Sequence, residues 1–222
     1  MTHYIEISLI DTKKFNIYEL WSRLYTQVHL ALVEQQNSDK TVNIGVSFPE
    51  YFYREEKNTT FSGLGGKLRI FAQSKEELES VSLNTWLNRL TDYMDISSIQ
   101  EVPSNGVYHI IVSNYVKPKN LSSVTKRFMK RESERLGREL SFSEAKQLQH
   151  QRFAEKNAVS LEEAEKHYKN PQVLNFPYIK LKSLSNKNTF TLRIRQNQVA
   201  EKIEGSFNTY GLSSTTTVPH WS

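Results

Sequence analysis

Residues 3–10 read HYIEISLI, and residues 16–36 read NIYELWSRLYTQVHLALVEQQ. In the first segment apolar and polar side chains alternate, which predicts a strand with one face on a core. In the second segment apolar side chains recur every three or four positions, and Asn16 with Glu19 has the spacing of a helical capping box. The predicted buried stripe of this helix comprises Ile17, Leu20, Trp21, Leu24, Val28, Ala31 and Leu32.

The next segments continue the alternation of strands and helices. We predict strands at 41–48, 67–72 and 96–102, a helix within 74–93 that is broken near 82–84, and a mobile loop at 50–66. The order βαββαβ over residues 1–103 is typical of a ferredoxin-like domain, an antiparallel sheet with two helices on one face. This layout does not identify a function, because RNA-binding proteins and many others share it.

Residues 104–222 form the second predicted domain. We expect an extended segment at 107–116, a basic helix, two short helices within 141–168 that begin at capping boxes, and a hairpin of residues 178–183 and 189–195. A short strand at 206–212 and a loose tail at 213–217 should follow. The whole chain is thus predicted to be an α+β protein with two domains, the second carrying an arginine-rich helix and a β-hairpin.

The basic helix concentrates the positive charge of the chain. Residues 126–138 read KRFMKRESERLGR, and residues 117–138 include eight basic and two acidic side chains, whereas the net charge of the whole chain is +5. At 100° per residue, one stripe holds Arg127, Arg131, Arg135 and Arg138, and the opposite side holds Met129, Leu136 and Leu140. Such an element is typical of nucleic-acid binding. The alternative is a solvated face whose charges pair with Glu132 and Glu134.

The composition excludes several classes of protein. The 222 residues include no cysteine, which excludes disulfides, thiolate zinc sites and a cysteine nucleophile. No apolar run approaches the roughly 20 residues that span a bilayer, and the first residues show no signal-peptide pattern. We therefore expect a cytoplasmic protein with no membrane contact.

His29 is the histidine best placed for chemistry. It lies at the margin of the apolar stripe of the first helix, where an imidazole is partly dry and still accessible. A boundary histidine without a role is the alternative. The six histidines show no metal-ligand spacing, so we predict neither a metal site nor a cofactor.

Several segments, taken together, resemble the subtype I-F CRISPR repeat-cleaving endoribonucleases. In chain order they are HYIEISL, QVHLALV, IGVSFP, GLGGKLRIFA, KRFMKR, NFPYIKLKSLS, FTLRIR and FNTYGLSSTTTVP. The resemblance covers most of the chain, and the order of the segments is more specific than any one of them. The chain is longer than is usual for this family near residues 50–62 and 132–158.

The resemblance implies a metal-independent ribonuclease of antiviral defence or of a transposon-associated system. It would bind the stem-loop of the CRISPR repeat and cut precursor RNA at the 3′ base of the stem by attack of a 2′-OH, leaving a 2′,3′-cyclic phosphate and a 5′-OH. It would then stay on the mature crRNA with the other Cas subunits of a type I-F surveillance complex. The implied catalytic residues are His29 for proton transfer, Ser183 to hold the attacking ribose and Tyr210 to orient His29.

The resemblance also implies RNA contacts. These fall on Lys126, Arg127, Lys130, Arg131, Arg135, Ser185 and Phe190. The family strand before the basic helix carries an Arg and a Gln that read bases, but this chain has SNYV at 113–116, so we predict that Asn114 or Tyr115 substitutes.

Two other functions stay open. One is a non-catalytic RNA hairpin-binding module of a ribonucleoprotein, and the other is a basic DNA-binding or ribosome-associated protein. Taken singly, Ser183, Phe190 and Tyr210 favour structural roles, and only the joint match favours the site.

Overall fold

The strand predicted from the alternation at the N-terminus is the centre of the first sheet, as β1, His3–Leu9. The computed structural model describes residues 1–57, 59–117, 121–168, 174–183 and 186–221. The chain divides into two compact units, one of Met1–Tyr115 with Asn175–Ser222 and one of Val116–Leu174. The predicted division after residue 103 is a different partition of the chain, and it stays a prediction.

The first sheet is antiparallel and has the order β2-β5-β1-β6, with β7 pairing with the start of β1. Its further strands are β2, Gly45–Ser47; β5, Lys67–Ala72; β6, Met94–Ile96; and β7, Gln100–Glu101. The helices of this half are α1, Ile17–Glu34; α2, Lys75–Ser80; and α3, Leu83–Trp86. The helix break near 82–84 is confirmed, whereas the last predicted strand is split into two. The coarse α+β class is confirmed, and the ferredoxin-like assignment is our interpretation of the strand order.

Helix α1 begins at the predicted capping box, in which Asn16 and Glu19 bond each other's backbone N–H. The helix buries the predicted stripe except at Ile17, which is 44% exposed. That part of the prediction is wrong because Ile17 lies in the first turn, at the end of the helix. The Trp21 indole N–H donates to the Gly65 carbonyl over 2.9 Å, which ties α1 to the turn before β5.

The segment predicted as a mobile loop is a β-hairpin instead. Strand β3, Phe52–Glu56, pairs antiparallel with β4, Thr59–Gly63. Its aromatic and threonine side chains favour a strand, and Lys57 adopts the left-handed conformation that a tight connection requires (φ 44°). The polar character of the segment hid this pattern in the sequence.

The second sheet has the order β11-β8-β10-β9 and is also antiparallel. Its strands are β8, Tyr108–Asn114; β9, Tyr178–Lys182; β10, Thr189–Val199; and β11, Thr217–His220. The predicted hairpin is confirmed as β9 and β10. The prediction of a strand at 206–212 is wrong, because those residues form turns with one isolated β-bridge between Phe207 and Val42.

The prediction of a loose tail at 213–217 is also wrong. Thr216 and Thr217 are buried, and the Ser213 N–H donates to the Val112 carbonyl over 2.9 Å. The two sheets share one core: a Cβ added to Gly45 would lie 2.6 Å from a Val218 methyl group. A run of polar threonines is therefore held by pairing with β8, a contact that local sequence does not reveal.

The described residues of the second unit form three helices. They are α4, Leu121–Leu136; α5, Phe142–Asn157; and α6, Leu161–His167. The predicted capping boxes at Ser141 and Ser160 are both present. The predicted apolar side of α4 is only partly correct, because Leu140 is buried but Leu136 is 46% exposed.

Candidate active site and nucleic-acid interface

Helix α1 places His29 at the edge of its buried face, next to the fully buried Val28. The imidazole is half-buried, as the marginal position predicts. Its Nδ1 lies 2.8 Å from the carbonyl oxygen of Thr209. Because a carbonyl can only accept, Nδ1 carries the proton of this bond, and Nε2 is the ring nitrogen that can exchange a proton with a ligand.

The ring of Tyr210 stacks on this imidazole. The ring centroids are 4.0 Å apart and the planes differ by 9°. Burial raises the pKa of the Tyr210 phenol above its ordinary value, so the group is a neutral hydroxyl at physiological pH. The stack and the Thr209 carbonyl together set both the tilt and the tautomer of His29.

Side-chain hydrogen bonds help to hold the loop that carries Thr209 and Tyr210. The Asn208 side-chain oxygen accepts from the backbone N–H of Tyr210 over 2.9 Å and of Leu212 over 3.2 Å. The hydroxyl of the fully buried Tyr25 donates to the Tyr210 carbonyl over 2.8 Å. Gly211 has φ +70°, and a Cβ there would lie 2.6 Å from a Val46 methyl group, so this turn requires glycine.

The hairpin of β9 and β10 brings Ser183 and Phe190 to the same place. Both line a cavity of about 360 Å³ together with His29, Tyr210, Thr26 and Lys182. Phe190 meets Tyr210 edge to face, with centroids 6.3 Å apart. The Ser183 N–H donates to the Asn188 carbonyl over 2.8 Å, which closes the hairpin. Four residues singled out in the sequence thus converge, whereas Ser185 lies outside the described residues.

Asn114 and Tyr115 lie elsewhere on the first unit. Asn114 is exposed at the end of β8, and its side-chain oxygen accepts from the Arg193 N–H over 3.3 Å. It lines a separate cavity of about 350 Å³. Tyr115 packs edge to face on Phe176, with centroids 4.9 Å apart. Neither residue lines the cavity that contains His29.

Helix α4 exposes all five of its predicted RNA-binding side chains, namely Lys126, Arg127, Lys130, Arg131 and Arg135. These side chains are not equally available to a ligand, because Glu132, which is only 3% exposed, forms ion pairs. Its carboxylate lies 2.6 Å from Arg152 on α5 and 2.8 Å from Arg135. Hydrogen bonding from Arg152, then from Arg135, lowers the pKa of Glu132. Arg135 is therefore held by the protein itself.

The structure adds four cations that our reading of the sequence missed. Lys180 and Lys182 alternate with buried residues on β9, and Arg193 and Arg195 do the same on β10. All four lie on the outward side of the hairpin, which Tyr178 shares opposite Arg193. The signal was present in YIKLK and TLRIR, where a cation stands at every second position.

Comparison with known proteins decides the family. The model of the CRISPR-associated protein family Cas_Csy4 matches residues 4–147 and 134–221. The chain belongs to this family. The predicted resemblance to CRISPR repeat-cleaving endoribonucleases is thereby confirmed.

Two relatives match over almost their whole length and are both named CRISPR-associated endonuclease Cas6/Csy4. The one from Pseudomonas aeruginosa is 31% identical and the one from Escherichia coli 27%, each covering 99% of both chains. A solved structure titled "An RAMP protein binding different RNA substrates" covers 98% of this chain and 99% of its own at 11% identity. Its TM-score of 0.34 is too low to support a conclusion. The Cas_Csy4 family assignment therefore depends on sequence.

Among the described residues, no group of three or more His, Cys, Asp or Glu side chains is arranged to hold a metal ion. In the same part of the chain, no helix combines the length and the apolar character needed to cross a bilayer.

Proposed function

We propose that this member of the Cas_Csy4 family is a metal-independent endoribonuclease that cuts CRISPR precursor RNA at the 3′ base of the repeat stem. The observation that carries the proposal is the convergence of His29, Tyr210, Ser183 and Phe190 on one cavity. An imidazole with a fixed tautomer, beside a hydroxyl group and an aromatic ring, suits a reaction that needs proton transfer and fixed geometry.

The proposed reaction is an in-line attack by the ribose 2′-oxygen on the adjacent phosphorus. The new 2′-O–P bond closes a 2′,3′-cyclic phosphate, and the bond from phosphorus to the 5′-oxygen breaks. One proton leaves the 2′-OH and one reaches the departing 5′-oxygen, which becomes a 5′-OH. Nε2 of His29 serves this proton transfer, which contributes roughly 10²–10⁴-fold to the rate.

The other side chains have positioning and binding roles. Ser183 holds the attacking ribose, Tyr210 orients the imidazole by stacking, and Phe190 stacks on a base. The exposed cations of α4 follow the phosphates of the stem, since the deep, narrow major groove of A-form RNA leaves little else to contact. Of the two candidates before α4, the exposed Asn114 is better suited to base reading than the packed Tyr115.

The proposal extends to the product. The enzyme stays bound to the mature crRNA hairpin, in the cytoplasm, and joins other Cas subunits of a type I-F surveillance complex. The exposed cations of α4 support this idea, because the stem that they would contact is not altered by the cut.

The experiment uses the repeat RNA encoded near the gene, in buffer with EDTA. We expect cleavage that leaves a 2′,3′-cyclic phosphate, no cleavage of RNA with a 2′-deoxy nucleotide at the cut, and a rate loss of roughly 10²–10⁴-fold in His29→Ala with binding kept. Tight binding without product by the unaltered protein would support the non-catalytic hairpin-binding module. Preference for duplex DNA in a gel-shift competition would defeat the RNA hypothesis.

A further inference from the structure

A second cavity, of about 610 Å³, lies between α1 and α3. We name it the α1–α3 groove, lined among others by Arg23, Thr26, Gln27, Trp86, Asn88 and Arg89. The two arginines, Asn88 and Gln27 present hydrogen-bond donors, and Trp86 presents a half-buried ring packed on the core. Among the lining residues that the structure describes there is no carboxylate.

The arginines of the groove have no acidic partners in the described part of the chain, unlike Arg69, Arg138 and Arg152, which are ion-paired. Both Arg23 and Arg89 are exposed. The Arg23 guanidinium lies 4.3 Å from the centroid of the Phe15 ring, a contact that holds the side chain without neutralising it. Two uncompensated guanidinium groups in one groove favour an anionic ligand.

The groove adjoins the site of His29 at one shared residue. Thr26 lines both the α1–α3 groove and the cavity of His29, Ser183 and Tyr210. Along α1, Arg23 precedes His29 by six residues, which is about 9 Å at 1.5 Å per residue.

We propose that the α1–α3 groove binds the single-stranded RNA that continues on the 3′ side of the cut. This inference depends on the proposed function, because the His29 cavity must hold the scissile phosphate. The ligand class follows from the lining: guanidinium groups bind successive phosphates, and Trp86 offers a stacking surface for a base, as in sites for single-stranded nucleic acid.

The test measures affinity for two RNAs that cannot be cut. Both contain the repeat hairpin with a 2′-deoxy nucleotide at the cleavage position; one ends at that position and the other continues for several nucleotides. We expect the longer RNA to bind more tightly than the shorter one. Arg23→Ala and Arg89→Ala should each reduce this advantage about fivefold near 0.1 M salt, because each phosphate contact with a single strand releases about 0.7 counterion. Affinity for the shorter RNA should not change.

Arg54→Ala is the matched control, because Arg54 is an exposed arginine on β3, away from the groove. It should keep the advantage of the longer RNA. The proposal is overturned if the two RNAs bind equally to the unaltered protein, or if the groove variants keep the full advantage, which would leave the groove to another occupant such as a protein.

A third arm separates this inference from the proposed function. The downstream segment alone, without the hairpin, is titrated into the unaltered protein and the Arg23→Ala, Arg89→Ala double variant. Binding that the double variant loses supports the groove even if the hairpin is not cut. Binding that the double variant retains argues against the groove even if the hairpin is cut normally.

Discussion

The imidazole of His29 lies face to face with the phenol ring of Tyr210, with ring centroids 4.0 Å apart and planes 9° from parallel. One ring comes from the first helix and the other from a turn near the end of the chain. The histidine is thus oriented by a ring on one side and by the Thr209 carbonyl at Nδ1.

Removal of the Tyr210 ring should slow cleavage without weakening RNA binding. We expect Tyr210→Ala to lower the single-turnover rate by about 10²-fold, because a reacting group displaced by about 1 Å loses that much. Tyr210→Phe keeps the stack and should stay within a few-fold of the unaltered protein. Equal losses in the two variants would assign the role to the hydroxyl instead of the ring.

Tyr25 supports the same turn from the core. Tyr25→Phe removes the donor to the Tyr210 carbonyl, which should lower the free energy of unfolding by about 1–3 kcal/mol and slow cleavage. Tyr4→Phe is the matched control, since it removes a 2.6 Å bond to Gln100 in the same unit. Urea unfolding and single-turnover assays should show that only Tyr25→Phe slows cleavage; similar slowing by both would mean a general loss of stability.

Two glutamates on α4 provide a paired experiment. Glu132→Gln and Glu134→Gln change the net charge equally, but Glu132 is buried and paired with Arg135 and Arg152, whereas Glu134 is exposed. We expect only Glu132→Gln to lower the thermal midpoint, and Glu134→Gln to raise the affinity for RNA by removing a negative charge near the basic stripe. Equal midpoints would show that the buried pairs do not stabilise the three-helix unit.

Arg131 and Arg138 should differ in their salt dependence. Arg131 is exposed and lies 3.9 Å from Glu132, while Arg138 donates to Glu144 over 3.1 Å. Arg131→Ala should reduce the slope of log affinity against log salt by about one unit, because one phosphate contact is lost. Arg138→Ala should reduce it less. An unchanged slope in Arg131→Ala would remove that residue from the phosphate contacts.

His220 predicts a loss of stability in acid. It is 8% exposed in β11, and burial, with a smaller contribution from Arg69, lowers its pKa to about 4. The His220 side chain therefore binds a proton below about pH 6.5 in the unfolded chain but only below about pH 4 in the folded chain. The free energy of unfolding consequently falls as the pH falls through this window, by up to about 3 kcal/mol.

The comparison is His220→Asn, which cannot titrate in this range. Unfolding in urea at pH 7 and pH 4.5 should show a smaller acid loss in the variant. The pKa values of His109 and His150 are also lowered by burial and act in the same direction, so the difference between the two proteins is the relevant quantity. An identical acid loss in both would refute the assignment to His220.

Much of the local structure was predictable because it depends on neighbouring residues. The alternation of apolar and polar side chains predicted β1. The spacing of apolar side chains and a capping box predicted α1, and the density of positive charge indicated α4. The resemblance to the family identified His29, Ser183, Phe190 and Tyr210 as site residues, although no local sequence pattern shows that they lie together. The hairpin of β3 and β4 and the strand β11 were missed because their polar sequences resemble loops.

What the sequence by itself determined is the type and order of most elements, the location of the positive charge and the family, since these follow from short-range patterns and from chain-wide similarity. Only the tertiary structure decided that Nδ1 of His29 meets the Thr209 carbonyl, 180 positions away in the chain, and that Glu132 is buried and paired with Arg152. It also decided that Arg23 and Arg89, which have no acidic partner among the described residues, share a groove with Trp86. The physical reason is that burial, tautomer and pairing depend on which distant residues exclude water from a group, and folding alone brings those residues together.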